Sequence, residues 1–361
     1  MDRRLNLLQE SLINENMGAY LINNPYNLRY ITGFTGSSGQ ALVTQNHAYF
    51  ITDFRYQEQA RKECPEFEVV IAGGQSTVKS PMVFIGQLIR DENILSIGYE
   101  EEFVTVAYYD QLVDVVDDQR LIPASGLIEV QREEKDSKEI AHIQKACQIA
   151  DAAFDHILGF IKPGMTEIEV ANELDFYMRK QGASGVSFDT IVASGYRSAM
   201  PHGVASGKII EANDLVTLDF GCYYQGYTSD ITRTFAMGPV SQQEQEIYQI
   251  VLEANQLVRD EARPGLTGQK LDGLARDFIS QHGYGDCFGH SLGHGIGLEI
   301  HEGPQISKNN NRELKANSVI TDEPGIYLHG QAGVRIEDDL LLTATGNQVL
   351  THAPRELIVL S

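Results

Sequence analysis

An internal repeat constrains the fold of this chain more than any other feature. The stretch KPGMTEIEVANELDFYMRKQG (162–182) aligns without gaps to RPGLTGQKLDGLARDFISQHG (263–283), 101 residues later. Pro-Gly-x-Thr alone is a common helix start, but a long predicted helix before each copy (137–160 and 241–261) and a closing glycine also recur. The repeat therefore predicts a domain of two similar halves about a pseudo-twofold axis, each with two helices and a strand hairpin.

Two helix starts in this region have capping-box spacing. Thr166 precedes Glu169 by three residues, and Ser241 precedes Glu244 by the same interval. In a capping box the hydroxyl accepts the backbone N–H three residues on, and the carboxylate accepts the N–H of the capping residue. We therefore expect helices to begin directly after Thr166 and Ser241.

The first third of the chain has a different pattern, in which short apolar strands alternate with helices. Strands are predicted at 20–24, 41–52, 67–72 and 96–100, and helices at 53–64 and 104–116. Such alternation indicates an α/β layer. The polar stretch EVQREEKDSKE (129–139) then separates the two patterns. We therefore predict an N-terminal α/β domain at 1–128 and a C-terminal domain at 129–361.

Composition limits the partners that the chain can have. Its 50 acidic and 28 basic residues give a formal net charge of −22. Such a surface repels phosphate backbones and anionic lipid, so we expect neither nucleic-acid nor membrane partners. The four cysteines form no CxxC pair, which favours reduced thiols. No apolar stretch resembles a signal peptide or a membrane span, and we expect a cytoplasmic protein.

The segment LDFGCYYQGYTSDITRT (218–234) reads as a strand hairpin with an aspartate near each end. If Asp219 and Asp230 face each other, the turn is centred between Tyr224 and Gln225. Opposed like charges destabilise a hairpin unless a cation lies between them. Cys222 falls on the strand face opposite Asp219, where we expect it to be packing.

A second acidic hairpin is predicted in VITDEPGIYLHGQAGVRIEDDLLL (319–342). Glu323 and Glu337 are symmetric about Gly330, a suitable turn residue. Taken singly, each acid could be a solvated strand end. Two pseudosymmetric hairpins, however, would bring four carboxylates towards one axis.

His294, in FGHSLGHGIGLEIHEGP (288–304), is a fifth candidate ligand. His290 and His294 have the spacing of a helical zinc pair, but the four surrounding glycines disfavour a helix and favour a tight backbone around His294. Four carboxylates and one imidazole form a hard, oxygen-rich set that suits Mn²⁺ or Co²⁺ better than structural zinc. Two such ions can share a hydroxide and polarise a carbonyl.

These stretches resemble the metallopeptidases of the pita-bread fold (the M24 type), and within them the proline-specific branch of aminopeptidase P and prolidase. The matching motifs are LDFGCYYQGYTSDITRT, GHGIGLEIHE, TDEPGIY and GVRIEDDL, together with GFTGSSGQALVT and YFITDFRY in the first 56 residues. The resemblance implies an α/β (α+β) protein, with a small creatinase/prolidase-type domain before a pseudo-twofold pita-bread catalytic domain. It also implies a dinuclear exopeptidase that hydrolyses Xaa-Pro bonds by attack of a metal-bridging hydroxide.

Carried over by motif, the resemblance assigns five metal ligands. Asp230 and Glu337 would bridge two divalent ions, Asp219 would bind one of them, and His294 and Glu323 would complete the other. Mn²⁺ is the expected metal, with Co²⁺ or Zn²⁺ as alternatives. Glu323 would also be the general base.

The resemblance further assigns residues that contact the substrate. His202 and His301 would hold the scissile carbonyl as catalytic residues, and His290 would lie where the proline ring binds. Tyr327 is a candidate for the pocket lining. Arg335 shares a strand face with Glu337, and it either orients a ligand or forms an ordinary strand salt bridge.

Several alternatives remain open. Ser291 stands where many prolidases of this branch carry the Arg of HRxGHG, which weakens the dipeptidase interpretation relative to the aminopeptidase one. Arg312 is either a substitute cation or a solvated charge. Methionine aminopeptidase, a metal-free creatinase-like enzyme and a non-catalytic peptide-binding protein are rivals within the fold. GFTGSSG (33–39) lacks a nucleotide-loop pattern, and the resemblance implies a homodimer in which this loop overhangs an active site.

Overall fold

The computed structural model describes residues 3–360, and the chain divides into two compact units, Met1–Arg132 and Glu133–Ser361. None of the helices in these described residues is long and apolar enough to cross a membrane.

The first unit is a mixed sheet with helices. Its helices are α1 (Arg3–Asn14), α2 (Pro25–Thr32), α3 (Gln57–Glu63), α4 (Pro81–Asp91), α5 (Val106–Val115) and α6 (Glu129–Arg132). Its strands are β1 (Ala19–Ile22), β2 (Gln40–Thr44), β3 (Ala48–Thr52), β4 (Glu68–Ile71), β5 (Ile97–Tyr99) and β6 (Leu121–Pro123).

These six strands form one sheet in the order β4-β3-β2-β1-β5-β6. The β1–β2 and β2–β3 pairs are antiparallel, whereas β3–β4, β1–β5 and β5–β6 are parallel. Every residue of β1, β2 and β3 is buried, as expected for strands covered on both faces. The predicted alternation of strands and helices is confirmed, although the sequence pattern did not reveal α2, α4, α6 or β6.

The second unit contains the repeat and the acidic hairpins. Its helices are α7 (Ser137–Phe160), α8 (Glu167–Lys180), α9 (Gln242–Glu261) and α10 (Gly268–Gln281). Its first strands are β7 (Gly185–Val186), β8 (Ile191–Ser194), β9 (Leu215–Phe220), β10 (Cys222–Tyr224), β11 (Tyr227–Thr228) and β12 (Ile231–Ala236). The later ones are β13 (Gly293–Gly295), β14 (Glu302–Ile306), β15 (Val319–Asp322), β16 (Gly325–Leu328), β17 (Ala332–Arg335), β18 (Asp338–Leu342) and β19 (Asn347–Val349).

The strands of the second unit form several small sheets. Their orders are β11-β10-β7, β12-β9-β8, β14-β13-β15-β18-β19 and β16-β17. The β9 and β12 strands belong to the first half, and β15 to β18 belong to the second.

The predicted repeat is confirmed as two similar halves. Helix α10 begins and ends 101 residues after α8, the offset found in the sequence, and each follows a long helix, α7 or α9. Each half has its own buried apolar cluster. Leu174 and Leu218 belong to the first cluster, and Leu271 and Leu340 belong to the second.

Both predicted capping boxes are present. The Thr166 hydroxyl accepts the Glu169 backbone N–H at 3.2 Å, and the Glu169 carboxylate accepts the Thr166 N–H at 2.7 Å. Ser241 and Glu244 make the same two hydrogen bonds, at 3.2 and 2.7 Å. These contacts fix where α8 and α9 begin.

Candidate metal centre

The first acidic hairpin turns at Gln225 and Gly226. Both residues have positive φ angles, 53° and 84°, as two-residue type I′ turns require. The strand pairs beside this turn place Asp219 opposite Thr232. The prediction that Asp219 directly faces Asp230 is therefore wrong, because it centred the turn one residue too early. The register makes Asp230 a diagonal neighbour of Asp219 on the same strand face.

The second acidic hairpin has the predicted register. The β15–β18 and β16–β17 pairs flank Glu323 and Glu337 on both sides in one continuous register, so the two glutamates lie opposite each other. Gly330, with φ of 71°, is at the centre of the turn. The symmetry of Glu323 and Glu337 about Gly330 is thus confirmed.

The two hairpins are hydrogen-bonded to each other beside their acidic residues. The Glu337 backbone N–H donates to the Thr232 carbonyl at 3.0 Å, and the Thr232 hydroxyl donates to the Glu337 carboxylate at 2.6 Å. The Asp230 backbone N–H donates to the Asp339 carboxylate at 3.0 Å. These contacts bring Asp230 and Glu337, one from each half, to the same place.

His294 lies on the short strand β13 between two glycines. A Cβ atom on Gly293 or Gly295 would collide with a neighbouring backbone carbonyl, which confirms the predicted tight backbone. The His294 Nδ1 atom contacts the Gly295 carbonyl at 3.1 Å. The Nε2 atom is left 3.6 Å from an Asp230 oxygen and 3.4 Å from a Glu323 oxygen.

The five predicted metal ligands all line one cavity of about 480 Å³. Ligand atoms of Asp230, His294 and Glu337 lie within 4.8 Å of one another, and all three residues are buried. In the part of the chain that the structure describes, one oxygen of Asp219 and one of Asp230 are buried without a hydrogen-bond partner. Buried carboxylate oxygens without partners are costly, so this donor set fits hard divalent cations.

The electrostatics of the cluster also favour a cation. Burial, and then neighbouring carboxylates, raise the pKa values of Asp230 and Glu337 well above their usual range. Burial raises the pKa of Glu323 to about 8. Burial lowers the pKa of His294 to about 4, which keeps its imidazole neutral and able to coordinate a metal. Divalent ions would replace the protons that these carboxylates otherwise retain.

His202 and His301 line the same cavity and are exposed. The centre of the His301 ring lies 4.4 Å from that of His294, with the planes at 74°. Burial lowers the pKa of His301, so this ring is neutral near pH 7. Both predicted catalytic histidines are therefore placed beside the acidic cluster.

A chain of hydrogen bonds links the predicted substrate-binding residues. Arg335 donates to the Tyr327 hydroxyl at 2.8 Å and to Asp219 at 2.6 Å. Since the Tyr327 oxygen accepts from Arg335, its own hydrogen is free to point to His290 Nε2, 2.8 Å away. Burial lowers the pKa of His290 to about 4, consistent with an accepting Nε2. Arg335 thus both pairs with a carboxylate and orients the tyrosine.

Comparison with known proteins assigns the chain to a family. Residues 141–344 match metallopeptidase family M24, and residues 4–133 match the creatinase/prolidase N-terminal domain. The uncharacterized peptidase YqhT of Bacillus subtilis is 50% identical, and the alignment covers 94% of this chain and 95% of that protein. The chain belongs to metallopeptidase family M24.

Two solved structures are similar to this M24 chain over nearly its whole length. The Xaa-Pro dipeptidase from Bacillus anthracis is 48% identical with a TM-score of 0.95, and 99% of each chain is covered. The X-Pro aminopeptidase from Thermotoga maritima MSB8 is 43% identical with a TM-score of 0.88, covering 97% of this chain and 99% of the other. The predicted fold, a creatinase/prolidase-type domain followed by an M24 catalytic domain, is confirmed. As an M24 metallopeptidase, the chain is a hydrolase that uses divalent metal ions.

The cavity of the M24 domain also has lining residues that the motifs did not reveal. They are Phe188, Asp189, Ile191, Pro201, Val204 and Gln305. Ile191 pairs with Asp219 across β8 and β9, so its position depends on a strand pairing that no local motif encodes. Thr232 and Asp339 were missed as well, although each lies two residues after a predicted ligand and therefore on the same strand face.

Two other residues can now be placed. Arg312 pairs with Glu133 within 2.6 Å and is not among the residues that line the cavity, so it does not supply a cation there. Cys222 is fully buried in the apolar cluster of the first half. The prediction that Cys222 is a buried residue that packs in the core is confirmed.

Proposed function

We propose that this M24 peptidase hydrolyses Xaa-Pro peptide bonds with two divalent ions. The proposed ligands are the five predicted ones: Asp219, Asp230, His294, Glu323 and Glu337. The observation that carries the proposal is that four carboxylates and one neutral imidazole line one cavity. The names of the relatives at 48% and 43% identity, an Xaa-Pro dipeptidase and an X-Pro aminopeptidase, support the choice of bond.

The proposed chemistry divides between the ions and the side chains. When bound, divalent ions at such a centre lower the pKa of water and polarise the scissile carbonyl. Glu323 is the proposed general base, and its carboxylate accepts a hydrogen bond from the Thr321 hydroxyl at 3.2 Å that orients it. His202 and His301 would hold the carbonyl oxygen.

The proline ring is proposed to bind beside His290. The His290 ring packs edge-on against Phe288, with ring centres 5.1 Å apart, and its Nε2 atom is held by Tyr327. The neutral imidazole of His290 lines the cavity and offers a surface for a pyrrolidine ring, and the buried Phe288 ring supports it from behind.

We propose that the substrates extend beyond a dipeptide. Arg335 is the only Arg or Lys among the described residues that line the cavity, and Asp219 pairs with it. Ser291 also lines the cavity where a cation would be needed to hold a free carboxylate next to the proline. The second candidate is a strict dipeptidase, which the name of the Bacillus anthracis relative favours.

Metal choice, assembly, location and domain boundary complete the proposal. We propose Mn²⁺ as the physiological ion, with Co²⁺ or Zn²⁺ as substitutes, because oxygen donors outnumber nitrogen in the ligand set. We propose a cytoplasmic homodimer, in keeping with the four free cysteines and the family resemblance. The functional boundary is proposed between residues 128 and 129.

The test is an assay of metal-free protein to which Mn²⁺, Co²⁺ and Zn²⁺ are added separately. Its substrates are an Xaa-Pro dipeptide, an Xaa-Pro-Yaa tripeptide and a Met-Ala peptide. We expect metal-dependent cleavage of the tripeptide, slower cleavage of the dipeptide and none of Met-Ala. Cleavage of the dipeptide alone would establish the dipeptidase alternative.

Asp230→Asn is the matched negative variant, because it keeps side-chain volume while removing one charged ligand. We expect it to lose activity with every metal. Activity that survives this substitution, or cleavage that does not require proline, would overturn the proposed function. Light scattering in solution tests the homodimer independently of activity.

A further inference from the structure

Each hairpin of the metal centre supplies a buried group to an acidic ligand of the other hairpin. Thr232, two residues after Asp230, donates its hydroxyl to Glu337 at 2.6 Å. Asp339, two residues after Glu337, accepts the backbone N–H of Asp230 at 3.0 Å. All four residues are at most 4% exposed. The arrangement is reciprocal, since the residue that follows each ligand by two positions holds the ligand of the opposite half.

The Thr232 contact has a defined direction. The Thr232 oxygen accepts an N–H from Arg335 Nε at 3.1 Å, so its single hydrogen is directed to Glu337. The Glu337 backbone N–H donates in turn to the Thr232 carbonyl at 3.0 Å. Glu337 is thus held at its backbone and at one carboxylate oxygen by a single residue.

The Asp339 contact replaces a strand hydrogen bond. Asp230 directly precedes β12, and the ladder between β12 and β9 starts only at Ile231. The Asp230 N–H is therefore satisfied by the Asp339 side chain, and the same Asp339 oxygen lies 3.2 Å from the Cys147 thiol. This contact fixes the backbone that carries the Asp230 carboxylate.

We propose that Thr232 and Asp339 are reciprocal positioning residues that set the affinity of the centre for its metal ions. The proposal rests on the proposed function, because it takes Asp230 and Glu337 as ligands. The two contacts fix the orientation of one carboxylate from each half relative to the other. Loss of either contact frees a ligand without removing it, so metal affinity falls while the ligand set stays complete.

The test is calorimetric titration of Mn²⁺ into metal-free protein, without substrate. We expect Thr232→Val to weaken Mn²⁺ binding about 10–100-fold. Thr232→Ser keeps the hydroxyl that donates to Glu337. Its affinity for Mn²⁺ should therefore stay within about threefold of that of the unsubstituted protein. Asp339→Ala should weaken binding similarly, whereas Asp339→Asn keeps an oxygen acceptor for the Asp230 N–H and should retain most of the affinity.

Thr217→Val is the matched control. Thr217 is buried in the same β9–β12 ladder, and its hydroxyl contacts Thr234 at 3.0 Å instead of a ligand. Its substitution should change the melting temperature of the protein but not the affinity for Mn²⁺. Circular dichroism of each variant establishes that it folds. If Thr232→Val does not fold, the comparison of Asp339→Ala with Asp339→Asn tests the positioning role.

The outcomes separate this inference from the proposed function. If Asp230→Asn abolishes Mn²⁺ binding while Thr232→Val and Asp339→Ala bind like the unsubstituted protein, the positioning role is wrong and the ligand assignment stands. If Asp230→Asn binds Mn²⁺ normally, the ligand assignment itself is wrong. Equal weakening by Thr232→Ser and Thr232→Val would also contradict the inference, because the hydroxyl would not be the group that matters.

Discussion

Arg335 carries the one Arg or Lys charge among the described residues that line the acidic cavity, and each of its three nitrogens has a partner. The guanidinium donates to Asp219, Tyr327 and Thr232 at 2.6, 2.8 and 3.1 Å. Lysine would keep the charge but has a single nitrogen on a flexible stem, so it cannot hold three partners in one plane. We expect Arg335→Lys to lower kcat/KM for an Xaa-Pro peptide about 10–100-fold, as measured by steady-state kinetics with saturating metal.

Arg263→Lys provides the comparison for this substitution. Arg263 forms an ion pair with Glu261 at 2.9 Å, and both side chains are about half exposed. Exposed pairs of this kind contribute little, so kinetics and stability should be unchanged. Wild-type kcat/KM in Arg335→Lys would show that the charge alone suffices and that the three-way geometry is unimportant.

Buried carboxylates make the stability of the metal-free protein depend on pH. Burial raises the pKa values of Glu323 and Asp339 to about 8, and burial also raises those of Asp230 and Glu337 well above their usual range. The folded state therefore retains protons that the unfolded state has released, and stability falls as pH rises towards these folded-state pKa values. Each such group lowers the free energy of unfolding by up to about 1.4 kcal/mol for each unit by which the pH rises in this range.

The histidines restrict the pH range in which this effect is clear. The pKa values of His290 and His294 are lowered to about 4, so their contribution to stability is lost as pH falls from 6.5 towards 4. Above pH 6.5 that contribution is constant. We therefore expect the melting temperature of metal-free protein to be lower at pH 8 than at pH 6.5, and saturating Mn²⁺ to reduce the difference. A higher melting temperature at pH 8 would contradict the raised carboxylate pKa values.

At the scale of elements, the tight turn at Gln225 and Gly226 sets the register of the first acidic hairpin. Gly226 has a φ of 84°, which a residue with a Cβ adopts only with strain. We expect Gly226→Ala to destabilise the protein by about 1–2 kcal/mol, measured by urea unfolding. Gly346→Ala is the control, because Gly346 has no positive φ and open space at its Cβ position. Equal effects of the two substitutions would show that the turn does not impose this conformation.

The elements that sequence predicted best are those with local signals. The aligned segments 162–182 and 263–283 gave the offset of 101 residues between α8 and α10. The capping boxes gave the starts of α8 and α9, because each box depends only on residues within one turn of helix. The register about Gly330 was predicted because a glycine marks the turn. The predicted turn of the first hairpin was centred one residue too early, because Gln225, which is not a glycine, adopts a left-handed backbone conformation.

The contacts that sequence did not predict are those between the halves. The Thr232–Glu337 and Asp230–Asp339 hydrogen bonds join residues more than 100 positions apart, and neither partner belongs to a local motif that specifies the other. Motif resemblance named the five ligands, but the cavity wall at Ile191 depends on the pairing of β8 with β9. Local patterns thus predicted which residues carry the chemistry of the site better than they predicted the contacts that hold those residues in place.

At the scale of the whole molecule, the acidic cluster lowers stability in the absence of a cation. The four carboxylates are drawn from hairpins of both halves, and burial and mutual repulsion raise the pKa values of three of them. A metal that binds only the folded state stabilises it by mass action, by about 2.7 kcal/mol at a free concentration of 100 Kd. Metal binding and folding of the second unit should therefore be thermodynamically linked.

Asp230→Asn separates the cost of the buried carboxylate in the metal-free protein from the stabilisation that bound metal provides. Without metal, burial raises the pKa of Asp230, so this carboxyl must take up a proton when the protein folds at pH 8, whereas asparagine needs none. We therefore expect the variant to melt at a higher temperature than the unsubstituted protein at pH 8. With saturating Mn²⁺ the order should reverse, because the unsubstituted protein gains binding energy that the variant lacks. Asp286→Asn, on an exposed residue, should melt like the unsubstituted protein in both conditions. Differential scanning fluorimetry of the three proteins, with and without Mn²⁺, measures these shifts. If Asp230→Asn melts lower without metal and gains as much from Mn²⁺ as the unsubstituted protein, Asp230 stabilises the fold without binding metal.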